Sequence, residues 1–370
     1  MNKKNKLILI NPNVIGYLKN KLFEVRKGYN NIETNLLFKQ LKDFLENKGY
    51  SVETIDQHPL NQADYIIFFG INPFDPYFKK IKYLKQKNKL TTPMFVILWE
   101  SPLINLYQYK PKNLRYFDKV LTWKTDIVDD KMFFKYFWPE QIIKKEILKI
   151  PFKDKKFISI INANKIALGE KELYSERKRA AKFFESTQEG ISVYGSGWNE
   201  RHFRLSLLGH MIFRYRYILK KIISLDFRSL KYLIEFLFNT KPLKSKTVKG
   251  IAKESCIEVL SKFKYAICFE NAKDISGYST EKIFNCFNAR CVPVYLGDDE
   301  ILQYIPEKCY INLRKFKNYE ELYQYLKSID EKKYNKYIVN INNFLNSNKT
   351  HVYSNNNFIN TFYRMLIRNN

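Results

Sequence analysis

The stretch 263–297, FKYAICFENAKDISGYSTEKIFNCFNARCVPVYLG, decides the fold of this chain. It begins with a short apolar run, YAICF at 265–269, and ends with a second one, CVPVYL at 291–296. Runs of this length and composition predict buried strands. Between them, Ser279 and Thr280 are suited to cap the start of a helix. The spacing therefore predicts strand, loop, helix and strand, as in an open α/β sheet.

The same alternation continues on both sides of this stretch. Upstream, KLILI at 6–10 and DYIIFF at 64–69 are separated by a helical pattern at 33–47, and further apolar runs lie at 94–99 and 119–123. The second series comprises predicted strands at 157–161, 191–195, 265–269, 291–296 and 310–313, and predicted helices at 175–185, 280–289 and 318–329. We therefore expect an α/β fold with two Rossmann-like halves in tandem.

The boundary between the halves is expected in the Lys-rich segment 145–156, which has no clear strand pattern. We predict an N-terminal domain at 1–150 and a C-terminal domain at 151–344. Residues 345–370 are rich in Asn but carry spaced apolar side chains, which predicts a helix that packs back on the first domain.

The charge of the chain indicates the class of its partners. Its 370 residues include 64 Lys and Arg against 37 Asp and Glu, so the net charge is +27. A field of that sign attracts phosphate groups, whether on nucleic acids, lipid head groups or nucleotides. Hydrophobic residues make up 45% of the chain, which excludes a disordered or fibrous protein.

Several other classes are also disfavoured. No apolar run is long enough to cross a bilayer, and the basic first segment contains only LILI, too short for a secretory signal. The five cysteines form no CxxC pair, and the four histidines lie away from them in sequence. Neither a disulfide framework nor a zinc site is therefore expected, and a reducing cytoplasm fits best.

Residues 199–249, which we call the basic segment, interrupt the α/β pattern. They hold 12 Lys and Arg against three acidic residues, with eight Phe and Tyr interleaved. Apolar residues recur at spacings of three and four between 207 and 223, as in a basic amphipathic helix. We predict a helical insertion in the second domain. It either packs on that domain or lies on an anionic membrane surface, which would make the protein peripheral to the inner face of the cytoplasmic membrane.

The loop after strand 265–269 carries the candidate chemistry. A strand followed by a loop and a helix N-terminus binds phosphate, because unpaired N–H groups and the positive end of the helix dipole meet there. Lys282 in the first turn adds a full positive charge. Many capped helices after strands bind nothing, so this pattern by itself leaves a purely structural role open.

Longer motifs help to decide between a phosphate-binding role and a purely structural role. The string Phe269-Glu270-Asn271, then Tyr278-Ser279-Thr280-Glu281-Lys282 and Val292-Pro293-Val294-Tyr295-Leu296-Gly297, resembles the signature of the α-1,3/4-fucosyltransferases, glycosyltransferase family 10. Trp99-Glu100-Ser101-Pro102 looks like the N-terminal element of that family, and Asn162-Ala163-Asn164 with Arg177 and Tyr194-Gly195 is similar to the start of its donor domain.

The resemblance implies a fold of the GT-B type, with two Rossmann-like domains facing a cleft. It implies an inverting transfer of L-fucose from GDP-β-L-fucose to a glycan hydroxyl, with O3 of N-acetylglucosamine as the expected acceptor. Glu100 would be the catalytic base. The implied donor-binding residues are Arg177, Asn271, Tyr278, Glu281 and Lys282, of which Arg177 and Lys282 would bind the diphosphate.

The chain departs from the family pattern at two places. The loop from Asn271 to Tyr278 is one residue longer than expected, and Ser279 replaces the usual Val. The pairs Asp129-Asp130 and Asp298-Asp299 lack the Asp-x-Asp form of metal-dependent transferases. We therefore expect GDP-fucose as co-substrate and no obligatory metal, with stimulation by Mn²⁺ or Mg²⁺ left open.

Two other functions remain open at this point. The same scaffold could use another nucleotide sugar, because motifs for a diphosphate and a ribose would look alike. The charge and the basic segment would also suit a nucleic-acid-binding protein, although no RRM, KH or helix-turn-helix signature is present. The expected partners are GDP-fucose and a glycan or lipid-linked glycan, without nucleic acid.

Overall fold

The structure is a computed structural model. It describes residues 5–27, 33–144, 149–165, 167, 169–198 and 243–368. Most of the basic segment, including the predicted amphipathic helix, lies outside these residues. The chain divides into two compact units. The first unit comprises 1–141, 276–278 and 350–370, and the second comprises 142–275 and 279–349.

The boundary between the units lies after residue 141 and not at 150. The backbone N–H of Ile143 donates to Asn288 Oδ1 at 3.0 Å, and the buried guanidinium of Arg290 donates to the carbonyls of Ile143 and Lys144. These bonds attach residues 143 and 144, which precede the Lys-rich segment, to the second unit.

The first unit is built on a parallel sheet. Its strands are β1 (Lys6–Asn11), β2 (Arg26–Lys27), β3 (Glu33–Thr34), β4 (Tyr50–Thr54), β5 (Tyr65–Phe69), β6 (Met94–Leu98), β7 (Lys119–Thr122) and β8 (Phe133–Lys135). Six of them form a sheet in the order β4-β1-β5-β6-β7-β8, and β2 pairs with β3. Every residue of β6 and β7 is buried, as expected for parallel strands covered on both faces.

The second unit also contains a six-stranded parallel sheet. Its strands are β9 (Lys156–Ile161), β10 (Ser192–Tyr194), β11 (Val248–Gly250), β12 (Phe263–Phe269), β13 (Val292–Leu296) and β14 (Ile311–Asn312). Their order is β11-β10-β9-β12-β13-β14, so the direction of progression reverses between β9 and β12. In open α/β sheets, ligands bind beyond the carboxyl ends of the strands at such a reversal.

The helices cover the faces of the two sheets. They are α1 (Leu36–Asn47), α2 (Pro76–Gln86), α3 (Pro111–Leu114), α4 (Tyr174–Ser186), α5 (Cys256–Ser261), α6 (Glu281–Asn288), α7 (Ile301–Tyr304), α8 (Tyr319–Lys327), α9 (Glu331–Leu345) and α10 (Asn355–Ile367). Helix α10 belongs to the first unit, where Lys119 Nζ donates to the carbonyl of Met365 at 2.9 Å and Phe358 stacks on Trp99.

The end of the basic segment is part of the second unit. Leu243 lies in the hydrophobic core of that unit, together with residues such as Ile160 and Val193. Residues 248–250 form β11, which pairs in parallel with β10. The predicted insertion therefore does not extend to 249, because its last residues complete the edge of the sheet.

Within the part of the chain that the structure describes, no helix combines the length and the apolar character needed to span a membrane. Over those same ranges, no three His, Cys, Asp or Glu side chains converge as a metal ion would require.

Candidate functional site

Glu270 lies immediately after β12, at the reversal point of the second sheet. Its backbone N–H donates to the carbonyl of Leu296 at 2.9 Å, which extends the pairing of β12 with β13 by one residue. Its side chain is 0% exposed. The carboxylate accepts from the backbone N–H of Thr280 at 2.9 Å and from the Thr280 hydroxyl at 2.7 Å. A buried carboxylate thus connects the end of the strand to the start of α6.

Thr280 is the N-cap residue of α6, but its side chain makes no capping hydrogen bond. A threonine at this position usually accepts from an N–H group of the first turn. Here the hydroxyl donates to Glu270 and accepts from Lys282 Nζ at 2.7 Å. The positive end of the α6 dipole therefore lacks the usual side-chain cap.

Lys282 joins this network from the first turn of α6. Its Nζ lies 3.1 Å from Glu270 Oε2 and 3.4 Å from Glu281 Oε1, and its side chain is 14% exposed. The side chain of Glu281 is 49% exposed. The structure thus places a mostly buried cation and an exposed carboxylate at the start of the helix, beside the end of β12.

Arg177, on α4, is buried at the same edge of the sheet, at 2% exposed. Its Nε and Nη2 donate to the carbonyl of Phe269 at 3.2 and 2.6 Å, and Nη2 also donates to Asn271 Oδ1 at 3.0 Å. Its neighbour Arg179 is 61% exposed and pairs with Glu176. Arg177 is therefore the cation of this helix that reaches the candidate site, where it fixes the carboxyl end of β12.

Asn271 begins the loop that leads to α6. Besides accepting from Arg177, it accepts through its carbonyl from the backbone N–H of Leu173 at 3.1 Å. Of the predicted donor-binding residues, Arg177, Asn271, Glu281 and Lys282 all belong to the second unit. The structure brings the first two together at the end of β12 and the last two together at the start of α6.

Tyr278 is placed differently, because residues 276–278 belong to the first unit. Its buried ring lies 4.8 Å from that of Trp123, between centroids. Gly277 has φ +79°, and a Cβ there would lie 2.3 Å from the carbonyl oxygen of Trp123. Only glycine fits this close approach of two backbone segments. A phosphate contact of Tyr278 stays a prediction.

Gly297 and Tyr295 adjoin the buried carboxylate on its other side. A Cβ at residue 297 would lie 2.3 Å from the Tyr295 hydroxyl and 2.9 Å from Glu270 Cγ. Among the residues that the structure describes, none forms a hydrogen bond with the buried Tyr295 hydroxyl. Burial and the nearby Glu270 carboxylate raise the pKa of Tyr295 well above its ordinary value, so this hydroxyl stays protonated. Gly297 therefore provides the space in which both side chains pack.

Sequence reasoning missed the part played by Glu270 and by Arg314. Arg314 lies 2.9 Å from both the carbonyl of Gly297 and Asp299 Oδ1, and it also pairs with Asp274. Glu270 lies inside the motif Phe269-Glu270-Asn271, so a signal was present. Arg314 lies in a short turn without any local pattern that indicates its partners.

Glu100, the predicted base, lies in the first unit just after β6. Its residue is exposed, and its carbonyl accepts from Gln108 Nε2 at 2.6 Å and from the Tyr109 hydroxyl at 2.8 Å. The preceding Trp99 is fixed by the indole N–H of Trp123, which donates to its carbonyl at 3.0 Å. A rigid backbone therefore places this carboxylate at the carboxyl edge of the sheet.

Comparisons with known proteins agree with the motifs. Residues 226–359 match the family model described as "Glycosyltransferase family 10 (fucosyltransferase) C-term". Over 70 residues the chain is 36% identical to "Alpha-(1,3)-fucosyltransferase FucT" of Helicobacter pylori, and over 84 residues it is 34% identical to "Putative fucosyltransferase R654" of Acanthamoeba polyphaga mimivirus. These alignments cover 19% and 23% of this chain but only 14% of either relative. The predicted resemblance to glycosyltransferase family 10 is confirmed.

The fold is also similar to solved structures. The structure titled "Crystal Structure of alpha1,3-Fucosyltransferase with GDP" aligns with a TM-score of 0.54 and 16% identity, over 100% of this chain and 93% of that one. A glycosyltransferase from Rickettsia africae aligns with a TM-score of 0.50 and 10% identity, over 100% of both chains. The predicted α/β fold of the GT-B type is confirmed.

Proposed function

We propose that this chain is an inverting glycosyltransferase that moves L-fucose from GDP-β-L-fucose to a hydroxyl of a glycan acceptor, with O3 of N-acetylglucosamine as the expected position. The observation that carries the proposal is the arrangement of Lys282 and the helix N-terminus beside the end of β12. It lies at the reversal point of the second sheet, within residues 226–359, which match a fucosyltransferase family model.

The arrangement suits the diphosphate of a sugar nucleotide. Negative charge grows on the leaving diphosphate as the glycosidic bond breaks, so fixed cations and N–H dipoles stabilise the transition state more than the ground state. Lys282 and the start of α6 supply both. Arg177 supports the same edge of the sheet by binding the carbonyl of Phe269 and the side chain of Asn271.

Glu100 is proposed as the general base. In an inverting transfer, the acceptor hydroxyl attacks the anomeric carbon on the face opposite the diphosphate, and its proton passes to a base. An exposed carboxylate on a rigid strand end can take that proton while remaining accessible to an acceptor. One displacement would then form the α-fucoside and release GDP.

A donor screen tests the proposal. The protein is incubated with GDP-fucose, GDP-mannose and UDP-sugars, with and without lactose-type acceptors, and nucleotide release and product mass are measured. GDP release that needs GDP-fucose, with acceptor mass increased by one deoxyhexose, supports it. Nucleotide release from another nucleotide sugar would identify that compound as the donor in place of GDP-fucose. Salt-sensitive RNA or DNA binding without any release would replace the proposal with a nucleic-acid function.

A further inference from the structure

We propose that Glu270 is a positioning residue for the donor diphosphate: its buried carboxylate draws the Thr280 hydroxyl away from the helix and fixes the Lys282 ammonium beside the uncapped start of α6. This inference rests on the proposed function, because it assigns a task within the same site. Glu270 itself would touch neither donor nor acceptor.

The backbone around Glu270 is fixed on both sides. Arg177 donates to the carbonyl of the preceding residue, Phe269, and to the side chain of the following residue, Asn271. The Glu270 N–H donates to Leu296 in the adjacent strand. The carboxylate therefore starts from a rigid part of the sheet, which is what a group that orients others requires.

The side chain of Glu270 is fixed as well. Gly297 packs against it, because even a Cβ at residue 297 would lie 2.9 Å from Glu270 Cγ. With 0% of the side chain exposed, solvent does not compete for the carboxylate. The carboxylate accepts from the backbone N–H and the hydroxyl of Thr280 and from Lys282 Nζ.

The hydrogen bonds of Thr280 explain how the Glu270 carboxylate would favour binding of a phosphate at the start of α6. A capping hydroxyl would occupy an N–H group of the first turn, which an incoming phosphate oxygen could otherwise bind. Glu270 instead engages that hydroxyl at 2.7 Å, and Lys282 donates to the same oxygen at 2.7 Å. Removing the carboxylate would release the hydroxyl to act as a cap and would leave Lys282 without its buried counter-charge.

The experiment measures binding of GDP and of guanosine to the full chain, by calorimetry and by ligand-observed NMR. In Glu270→Gln we expect GDP affinity to fall by about tenfold or more, the range of a charge-assisted hydrogen bond, with guanosine affinity unchanged. Guanosine lacks the phosphates, so it reports general damage to the site. Unchanged GDP affinity, or a parallel loss of guanosine affinity, overturns the inference.

A double variant tests whether Glu270 acts through Lys282. Because the two groups form one network, Glu270→Gln should weaken GDP binding less in a Lys282→Ala background than in the wild type. Losses that multiply in full would mean that Glu270 acts independently of Lys282, which overturns the inference. Glu254→Gln, at an exposed pair with Lys262 in the same unit, is the matched control for loss of a carboxylate.

Variants of Thr280 keep the test decisive if Glu270→Gln fails to fold. Thr280→Val removes the hydroxyl that accepts from Lys282 Nζ, with little change of shape, and should weaken GDP binding, whereas Thr280→Ser keeps that acceptor and should bind GDP as the wild type does. Equal affinity in both variants overturns the inference. If the unmodified protein neither binds GDP nor releases it from GDP-fucose, the proposed function fails together with this inference. If the unmodified protein transfers fucose and Glu270→Gln binds GDP with wild-type affinity, only the positioning role is refuted.

Discussion

Each unit places a glutamate shortly after the fourth strand of its sheet, but the two glutamates lie in opposite environments. Glu100 follows β6 and Glu270 follows β12, and each of these strands is fourth in the order of its sheet. Glu100 is exposed, whereas Glu270 is fully buried against an ammonium and a hydroxyl. The fourth strand of one sheet is therefore followed by an exposed carboxylate, and that of the other by a buried carboxylate bound to Thr280 and Lys282.

The difference follows from the residue after each strand end. In the first unit, β6 is followed by Trp99, which packs among aromatic rings, so Glu100 emerges beyond that layer. In the second unit, Glu270 follows Phe269 directly, and the chain returns at Thr280 to cover it. In these two sheets, a difference of one residue after the strand end separates an exposed carboxylate from a buried one.

The largest expected effect tests the exposed carboxylate. Glu100→Gln keeps the shape of the side chain but cannot accept a proton, so turnover should fall by roughly 10²–10⁴-fold while GDP affinity is retained. Transfer rates and calorimetry with GDP measure the two effects. Normal turnover in a folded variant would place the base elsewhere.

The next effect tests the cation that the buried carboxylate holds. Lys282→Ala should lower turnover by about 10²–10³-fold, since it removes a charge that stabilises the departing diphosphate. Donor binding should weaken as well, in contrast to the Glu100 variant. Rates are compared with those of Lys246→Ala, a change of an exposed lysine in the same unit. Equal rates for the two lysine variants would refute the donor-site assignment.

A third prediction concerns packing near the buried carboxylate. Gly297→Ala would bring a methyl group within 2.3 Å of the Tyr295 hydroxyl, so we expect the free energy of unfolding to fall by about 1–3 kcal/mol. Gly16→Ala in the first unit is the control, because a Cβ there meets nothing within 4 Å. Chemical denaturation compares the two. A similar small change in both variants would show that position 297 accommodates a methyl group despite its close packing.

The smallest effect sharpens the comparison with a third carboxylate. Asp75 in the first unit is buried and accepts from Asn11 Nδ2 at 2.5 Å and from the backbone N–H of Tyr77 at 2.9 Å. Burial raises its pKa above the ordinary 3.8. The folded state therefore binds this proton more tightly than the unfolded state, and the wild type gains stability as pH falls through the raised pKa.

Asp75→Asn removes that dependence while keeping a capping oxygen. At pH 7 the free energy of unfolding of the variant should lie within about 1 kcal/mol of the wild-type value. As pH falls from neutral towards 4, the variant should become less stable relative to the wild type. Thermal unfolding across this range measures the difference. If the variant instead becomes more stable relative to the wild type as pH falls, the hydrogen bonds to Asp75 lower its pKa more than burial raises it.

The local elements near the site were predictable from sequence. The strand predicted at 265–269 is observed at Phe263–Phe269, and the helix predicted at 280–289 is observed at Glu281–Asn288. Apolar runs and a capping residue are local signals, so they survive without knowledge of the tertiary structure. Strand β11 was missed, because Val248–Gly250 is short and contains a lysine.

The contacts of the site were less predictable than its elements. Arg177 meets Phe269 across 92 positions, and Lys282 meets Glu270 across 12. No periodicity encodes such pairings, since they depend on how α4 and α6 pack on the sheet. A helix N-cap threonine was foreseen, but its engagement by a buried carboxylate depends on the course of the loop before it.

The return of α10 to the first unit has a consequence for how the chain folds during synthesis. The half-buried Trp99 of that unit stacks on Phe358, which the ribosome adds 259 residues later. At a synthesis rate of about 5–20 residues per second, Phe358 is added on the order of tens of seconds after Trp99, and only then can this aromatic cluster be complete. The second unit, whose residues end at 349, is fully translated before the first can close. The order of completion on the ribosome is therefore the reverse of the order of the two sheets in the sequence.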